Sequence, residues 1–433
     1  MFRLARTLFL VLTVLALASL VVAQEFPAPL TADQAVTIRF YSYNLGNAAF
    51  GPGTEKLIAE FMAANPNITV EGVPVPGAEM TARVQADIVA GTPPDVAQLI
   101  FDGLDFIATN FNAKPLESIV PPEELTAHFE GFSPNGLQLG RLNELTYGLP
   151  FTFSTPVLFY NADVFRAAGL DPDAPPTTWE QAKEYALQIA SATEADGIHI
   201  AGLGGFDWIV QSLIGSNGGQ VLSDDRTTIE FGSEAAIGAI SMWQDLRLSG
   251  AHSQLTDAEI TESMFTGNLG MYLQSSAIQR TLISNAETNG WELRAAAMPA
   301  FGEQPTTPVN SGSALFIFSD DVAKQRAAWE FLKFVTSERG YTIITSDIGY
   351  LPLRPAIVED PQYLQEWAQA NPLVFPNLEQ LTRLRQWVSY PGPNWRQIET
   401  ILLEAVQQAV TSDGDVATIM TDAAARAQAL LMP

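Results

Sequence analysis

The 433-residue chain contains no cysteine. That excludes disulfides, thiolate-bound zinc, iron–sulfur clusters, a cysteine nucleophile and a lipid anchor on an N-terminal cysteine. Histidine is nearly as scarce. His128, His199 and His252 are far apart in sequence and form no H-x-x-x-H pattern, so no metal site and no cofactor is expected. Cations are few: 22 Lys plus Arg face 48 Asp plus Glu, for a net charge of −26. A surface that acidic repels phosphate backbones, whose binding needs many cationic contacts to displace counterions, so nucleic acid is excluded as a partner. Nucleotide motifs are also missing. Gly202-Leu203-Gly204-Gly205 and Gly218-Gly219 complete no G-x-G-x-x-G, no Gly-Lys-Ser/Thr occurs, and there is no G-x-S-x-G elbow.

What is present is ample apolar material, 47% of residues, interspersed with 31 Gly and 28 Pro. The length is about three times the ~150 residues of one domain, so two or more cores are expected. The N-terminus reads as an export signal over residues 1–23. Arg3 and Arg6 form a basic start, Leu8 to Val22 is almost wholly apolar, and Val21-Val22-Ala23 supplies small residues before Gln24. The apolar run of about 15 residues falls short of the ~20 needed to span a bilayer, and no stop-transfer charges follow it. Cleavage is therefore expected over retention as an anchor. Arg3 and Arg6 are the only charges before Gln24, so cleavage takes the net charge from −26 to −28. No later stretch reaches 18 uninterrupted apolar residues. A soluble protein, periplasmic or extracellular, is expected.

Along the chain, Val36 to Phe40 alternates like a strand, and Gly51-Pro52-Gly53 breaks it. Thr54 then caps a helix carrying Leu57, Ile58, Phe61 and Met62. Ile68 to Val75 is strand-like, Glu79 to Ala90 helical, and Asp95 to Ile100 a third strand. A β-α-β-α-β order implies parallel pairing with helices on both faces. After Tyr147-Gly148-Leu149-Pro150 comes an extended run to Tyr160, and Thr177 and Glu180 have capping-box spacing ahead of a helix to about Ala192. Candidate connections between two lobes are Tyr147–Pro150, Val309–Gly312 and Tyr350–Pro355. Open α/β sheets bind ligands at the carboxyl ends of their strands, so two such lobes would hold a ligand between them.

Three stretches carry a family likeness. The run from Leu149 to Asn161, with Phe165, Ala168-Gly169-Leu170 and Pro175-Pro176-Thr177-Thr178-Trp179, resembles the midpoint of the extracellular solute-binding proteins that serve ABC importers of sugars and polyols. Met264 to Met271 leading into Ser275-Ser276, and Gly349-Tyr350-Leu351-Pro352, are similar to two further signatures in the same order. The resemblance implies a two-lobed periplasmic-binding-protein fold, type II-like and α/β, each lobe a mainly parallel sheet flanked by helices. Lobe 1 would comprise residues 24–150 and 311–353, lobe 2 residues 151–310 and 354–433. It also implies a monomer that docks on the transmembrane permease subunits.

Within that superfamily the glycerol-3-phosphate-binding branch is the most similar. Its ligand residues fall on Ser154, Ser275, Gly312, Tyr350 and Arg396, with Asp102 and Trp179 as further candidates. The implied ligand is a glycerophosphate or glycerophosphodiester. Arg396 would grip phosphate with its planar fork, the two serines would donate or accept, Gly312 would open the backbone, and Tyr350 would offer ring and hydroxyl. The chain departs from the branch at Pro76-Gly77-Ala78, Asp102 and Tyr41-Ser42-Tyr43, which keeps a mono- or oligosaccharide as the alternative ligand. Arg396 could instead pair with Glu399 or Glu404 on its own helix. An exported carbohydrate-active enzyme is the remote alternative, since an acid-rich chain can always supply two carboxylates. No catalytic residue is assigned, and the protein is expected not to be an enzyme.

Overall fold

A computed structural model describes residues 26–432, so the expected export signal at residues 1–23 lies outside the described residues. The first sheet starts with Val36–Ser42 (β1), Ile68–Pro74 (β2) and Val96–Ile100 (β3), and Gly148–Ser154 (β4) later joins it. The second sheet is built from Pro156–Asn161 (β5), Asp196–Ile200 (β6), Leu269–Ser275 (β7) and Leu293–Ala297 (β8). The chain then returns to the first sheet as Ser311–Ile317 (β9). Strand order is β2-β1-β3-β9-β4 in the first sheet and β8-β5-β7-β6 in the second.

Both sheets are mixed, and in each all strands but one run the same way. β1 runs parallel to β2 and β3, but β9 is antiparallel to both β3 and β4, and β5 is antiparallel to β7 and β8. Only β6 and β7 are parallel in the second sheet. The cause is the connectivity. A strand that begins and ends within its own sheet runs toward the other sheet, whereas β5 and β9 arrive from the other sheet and must run away from it. One reversed strand in each sheet follows from joining two sheets by direct crossings.

The first crossing also lies later than expected. Residues 149–154 pair with β9 as far as Ser154↔Ser311, so the chain leaves the first sheet at Thr155, not at Pro150. Helix Gly51–Ala64 (α1) begins at Gly51, ahead of the Thr54 start that was expected. Pro52 has its φ preset for the first helical turn. Gly53 admits a close approach, since a Cβ there would meet Ile348 Cγ1 at 2.5 Å. The helix Trp179–Ala192 (α2) is capped by Thr178, whose Oγ1 accepts from the Gln181 N–H, and not by the Thr177–Glu180 pair.

Each sheet carries its own aromatic packing. Phe40 of β1 and Phe61 of α1 meet Phe331 edge to face at 5.1 and 5.2 Å. In the second lobe, Tyr272 of β7 and Trp243 of the helix Glu234–Leu248 are fully buried. No helix among the described residues is long and apolar enough to cross a membrane.

Candidate functional site

The carboxyl ends of β1, β3, β4 and β7 and the start of β9 point at one another across the crossing. They enclose a cavity of about 160 Å³ lined by Tyr43, Ile100, Ser154, Ser275, Gly312 and Tyr350, among others. Four residues expected at a ligand site are thus brought together from positions 196 residues apart at the extremes. Ser154 closes β4 and Ser275 closes β7, and the Ser275 hydroxyl donates to Ser154 Oγ at 2.8 Å. Gly312 sits at φ +114° inside β9, and a Cβ there would fall 2.1 Å from the Thr152 carbonyl oxygen. Only glycine lets the two strands pair while leaving the cavity wall flat.

Beneath this wall runs a buried polar chain. Ser42 Oγ donates to Gln98 Oε1 at 2.6 Å, Gln98 Nε2 donates to Ser313 Oγ at 2.9 Å, and Ser313 Oγ and Thr152 Oγ1 share a hydrogen bond of 2.7 Å. The phenols of Tyr43 and Tyr350 reach into it, and burial pushes both above the usual tyrosine value. Tyr350 packs against Phe50 at 5.4 Å. Held protonated in this way, both phenols keep an O–H available as a donor.

The opposite wall is aromatic. Phe206 and Trp387 line the cavity and meet edge to face at 5.8 Å. Trp387 is anchored by Asp207, whose Oδ1 accepts from the indole Nε1–H at 2.7 Å. Gln211 Nε2 and the Tyr390 hydroxyl donate to the other oxygen at 2.9 and 3.2 Å. Burial nevertheless lifts the Asp207 carboxyl to about 6 against those three hydrogen bonds.

Arg396 does not line the cavity. It lies behind Phe206, with its guanidinium 5.9 Å from that ring and 4.1 Å from the ring of Trp395. Its Nη1 stands 2.8 Å from Asp102 Oδ2 and 3.2 Å from Glu399 Oε2, so the pairing with Glu399 foreseen on its own helix is formed. Glu404 instead approaches Arg426 at 3.8 Å. Asp102 and Glu399 are both buried, and burial raises both carboxyls, Glu399 to about 9 with Asp207 and Asp102 adding repulsion. The arginine opposes each rise without overcoming it.

Trp179 is placed elsewhere. It opens α2 with 1% exposure and packs on Phe301 at 6.1 Å, a core residue of the second sheet's helical layer and not part of the cavity. Sequence reasoning missed Phe206, Trp387, Ser311, Asp207 and the buried position of Glu399. The first two are isolated aromatics without a local pattern, although Gly205, with φ +110°, marks a sharp turn before Phe206. His199 and His252, distant in sequence, lie with ring centroids 4.5 Å apart and ring planes tilted by 41°.

Comparison with known proteins places this geometry in context. A model of the family described as bacterial extracellular solute-binding protein matches residues 47–342. An sn-glycerol-3-phosphate-binding periplasmic protein of Pectobacterium atrosepticum is 27% identical over 297 residues, and the match spans 65% of each chain's length. A putative binding protein of Brucella abortus is 26% identical over 396 residues, covering 89% of this chain and 91% of its own. Among solved structures, the cyclic alpha-maltosyl-1,6-maltose binding protein of Arthrobacter globiformis superposes with a TM-score of 0.78 at 21% identity, covering 93% of this chain and 98% of its own. UgpB of Mycobacterium tuberculosis, in complex with glycerophosphocholine, gives 0.77 at 20% identity, covering 91% and 98%. At such identities the superpositions speak for the two-lobed fold.

Proposed function

The chain belongs to the bacterial extracellular solute-binding proteins, and from that premise we propose that it captures a small glycerophosphate-like ligand for an ABC importer. The observation that carries the reading is the convergence of Ser154, Ser275, Gly312 and Tyr350 on one cavity between the ends of two sheets. Its volume of about 160 Å³ lies below the ~300 Å³ at which pockets for drug-sized ligands begin, which favours a compact ligand over a long oligosaccharide. Hydroxyl donors and acceptors on one wall suit a polyol. Aromatic faces on the other exclude water and strengthen each polar contact.

Arg396 supports the phosphoryl part of the reading. Its side chain is 45% exposed, and Glu399 beside it keeps its proton up to about pH 9, so the guanidinium charge is not fully cancelled by its neighbours. A phosphate entering past Phe206 would draw the fork off Asp102 and accept two parallel hydrogen bonds. Such a ligand would then pass to the membrane permease, as the family membership implies, with no covalent step.

A specific observation favours a second reading. Four aromatic residues, Tyr43, Phe206, Tyr350 and Trp387, line the cavity, and Arg396 already has carboxylate partners. A neutral monosaccharide would use that arrangement without drawing Arg396 off those partners. Titration calorimetry with glycerol 3-phosphate, a glycerophosphodiester, glucose and maltose separates the two. Phosphorylated ligands binding more tightly supports the first reading, and exclusive sugar binding overturns it. Hydrolysis of any of them at catalytic rates would instead move the protein to the enzymes.

A further inference from the structure

A second cavity, of about 150 Å³, lies on the far side of Tyr350 from the one just described. Ser276, Gln279, Arg280, Thr345, Tyr350 and Trp367 contribute to its walls. Tyr350 lines both chambers. The turn at Ser275-Ser276-Ala277 also divides them, with Ser275 and Ala277 facing the main cavity and Ser276 facing the second. The partition is therefore one ring and one turn of backbone thick.

Two buried polar atoms on the walls of this chamber have no partner. Gln279 is 8% exposed and its Oε1 accepts no hydrogen bond, and Thr345 is 2% exposed with an unpaired Oγ1. Buried polar groups are normally satisfied, and each one left unpaired carries a desolvation cost, so two in one small chamber point to an occupant. The chemistry of the pair is selective. An amide oxygen needs a donor, and a hydroxyl can give or take. A phosphate or carboxylate oxygen would leave Gln279 unsatisfied, whereas one alcohol group both donates and accepts. Trp367 adds a flat apolar face, and Arg280, whose Nη1 donates to the Asp347 carbonyl, also lines the chamber.

We propose that this chamber is a second compartment of the ligand site, taking the hydroxyl-bearing far unit of a two-unit ligand whose near unit sits in the main cavity. The proposal rests on the reading of the main cavity as the ligand site. The ligand class it names is a polyol or sugar residue joined through a phosphodiester or glycosidic link to the unit held by Ser154, Ser275 and Gly312. Tyr350, shared by both chambers, would then contact the link between the units.

The test is titration calorimetry with matched one-unit and two-unit probes: glycerol 3-phosphate against glycerophosphoglycerol, and glucose against maltose. In whichever pair binds, the two-unit member should bind at least about tenfold more tightly, the gain of one or two well-made hydrogen bonds. Thr345→Val and Gln279→Leu, each close to isosteric, should remove about tenfold from the two-unit ligand and leave the one-unit ligand within about twofold. Thr345→Ser, which keeps the hydroxyl, should behave as the parent, so a loss caused by misfolding is recognised. Ser154→Ala should weaken both members of the pair. Equal affinities within the pair, unchanged by Thr345→Val and Gln279→Leu, would overturn the compartment and leave the main site standing, with water as the occupant. Binding of none of the four probes would overturn the reading of the main cavity and the compartment with it.

Discussion

Glu399→Gln decides how the acid cluster behind Phe206 is charged. Glu399 lies 3.2 Å from Arg396, which by itself would favour an ionised pair. Against that, its side chain is 5% exposed, its Oε1 has no hydrogen-bond partner, and Asp207 and Asp102 are close enough to repel a third negative charge. Desolvation and repulsion outweigh the arginine and lift the carboxyl from 4.5 to about 9. The folded protein then holds one proton more than the unfolded chain everywhere between those values. Stability contributed by this group is complete below pH 4.5 and falls as pH rises toward 9, by ~1.4 kcal/mol per unit. From pH 5 to pH 8 the loss is about 4 kcal/mol. Glu399→Gln removes that loss, since the amide mimics the protonated acid and does not titrate. With an unfolding entropy of ~2.1 cal/mol/K per residue, each kcal/mol moves the melting temperature of a chain this long by roughly 1 °C. The melting temperature of Glu399→Gln minus that of the parent should therefore grow by roughly 4–5 °C between pH 5 and pH 8. Scanning calorimetry at the two pH values reads it directly, and taking the difference removes the titration of all other groups. If the variant is instead less stable at pH 8, by the ~3–5 kcal/mol typical of breaking a buried ion pair, Glu399 is ionised and the reasoning fails.

Arg396→Ala should weaken a phosphorylated ligand by at least ~10-fold in calorimetry, with Arg396→Lys between Ala and the parent, because the fork makes charge-assisted bonds worth ~1.5–3 kcal/mol each. A neutral sugar should bind the variants as it binds the parent. Gly312→Ala would place a Cβ 2.1 Å from the Thr152 carbonyl in a left-handed backbone position, so a loss above ~4 kcal/mol, or failure to fold, is expected in urea titration. Burial holds the rings of His128 and His252 neutral down to about pH 3, against an ordinary value of 6.5. The unfolded chain takes up those protons first, so each ring withdraws ~1.4 kcal/mol of stability per unit as pH falls from 6.5 toward 3. Denaturant titrations of His128→Gln should show that slope reduced by one proton.

Several features of the protein follow from local sequence alone. Alternation over Val36 to Phe40 and the helical spacing of Leu57, Ile58, Phe61 and Met62 announce β1 and α1, because a strand and a helix present one face at fixed periods. The absence of cysteine and the excess of carboxylates exclude whole classes of chemistry without reference to any fold. Short motifs in a constant order mark Ser154, Ser275, Gly312 and Tyr350, since each sits at a strand end or turn whose neighbours carry the pattern.

Tertiary structure alone decided the rest. Phe206 and Trp387 are single aromatics, and nothing within a few residues of either distinguishes a cavity wall from a core. Trp179, a further candidate from its Thr-Trp helix opening, is buried against Phe301, with its backbone N–H donating to the Ala300 carbonyl. The reversed strands β5 and β9 arise from the crossings between sheets, which hydrophobic periodicity does not encode. Charge is the sharpest case. In sequence, Asp102 is a candidate ligand residue, Glu399 a possible partner of Arg396, and Asp207 one acid among 48 carboxylates. Their altered proton affinities come into being when separate segments bring them together around Arg396 and remove the water, since desolvation and Coulomb repulsion depend on distance in space and not on distance along the chain.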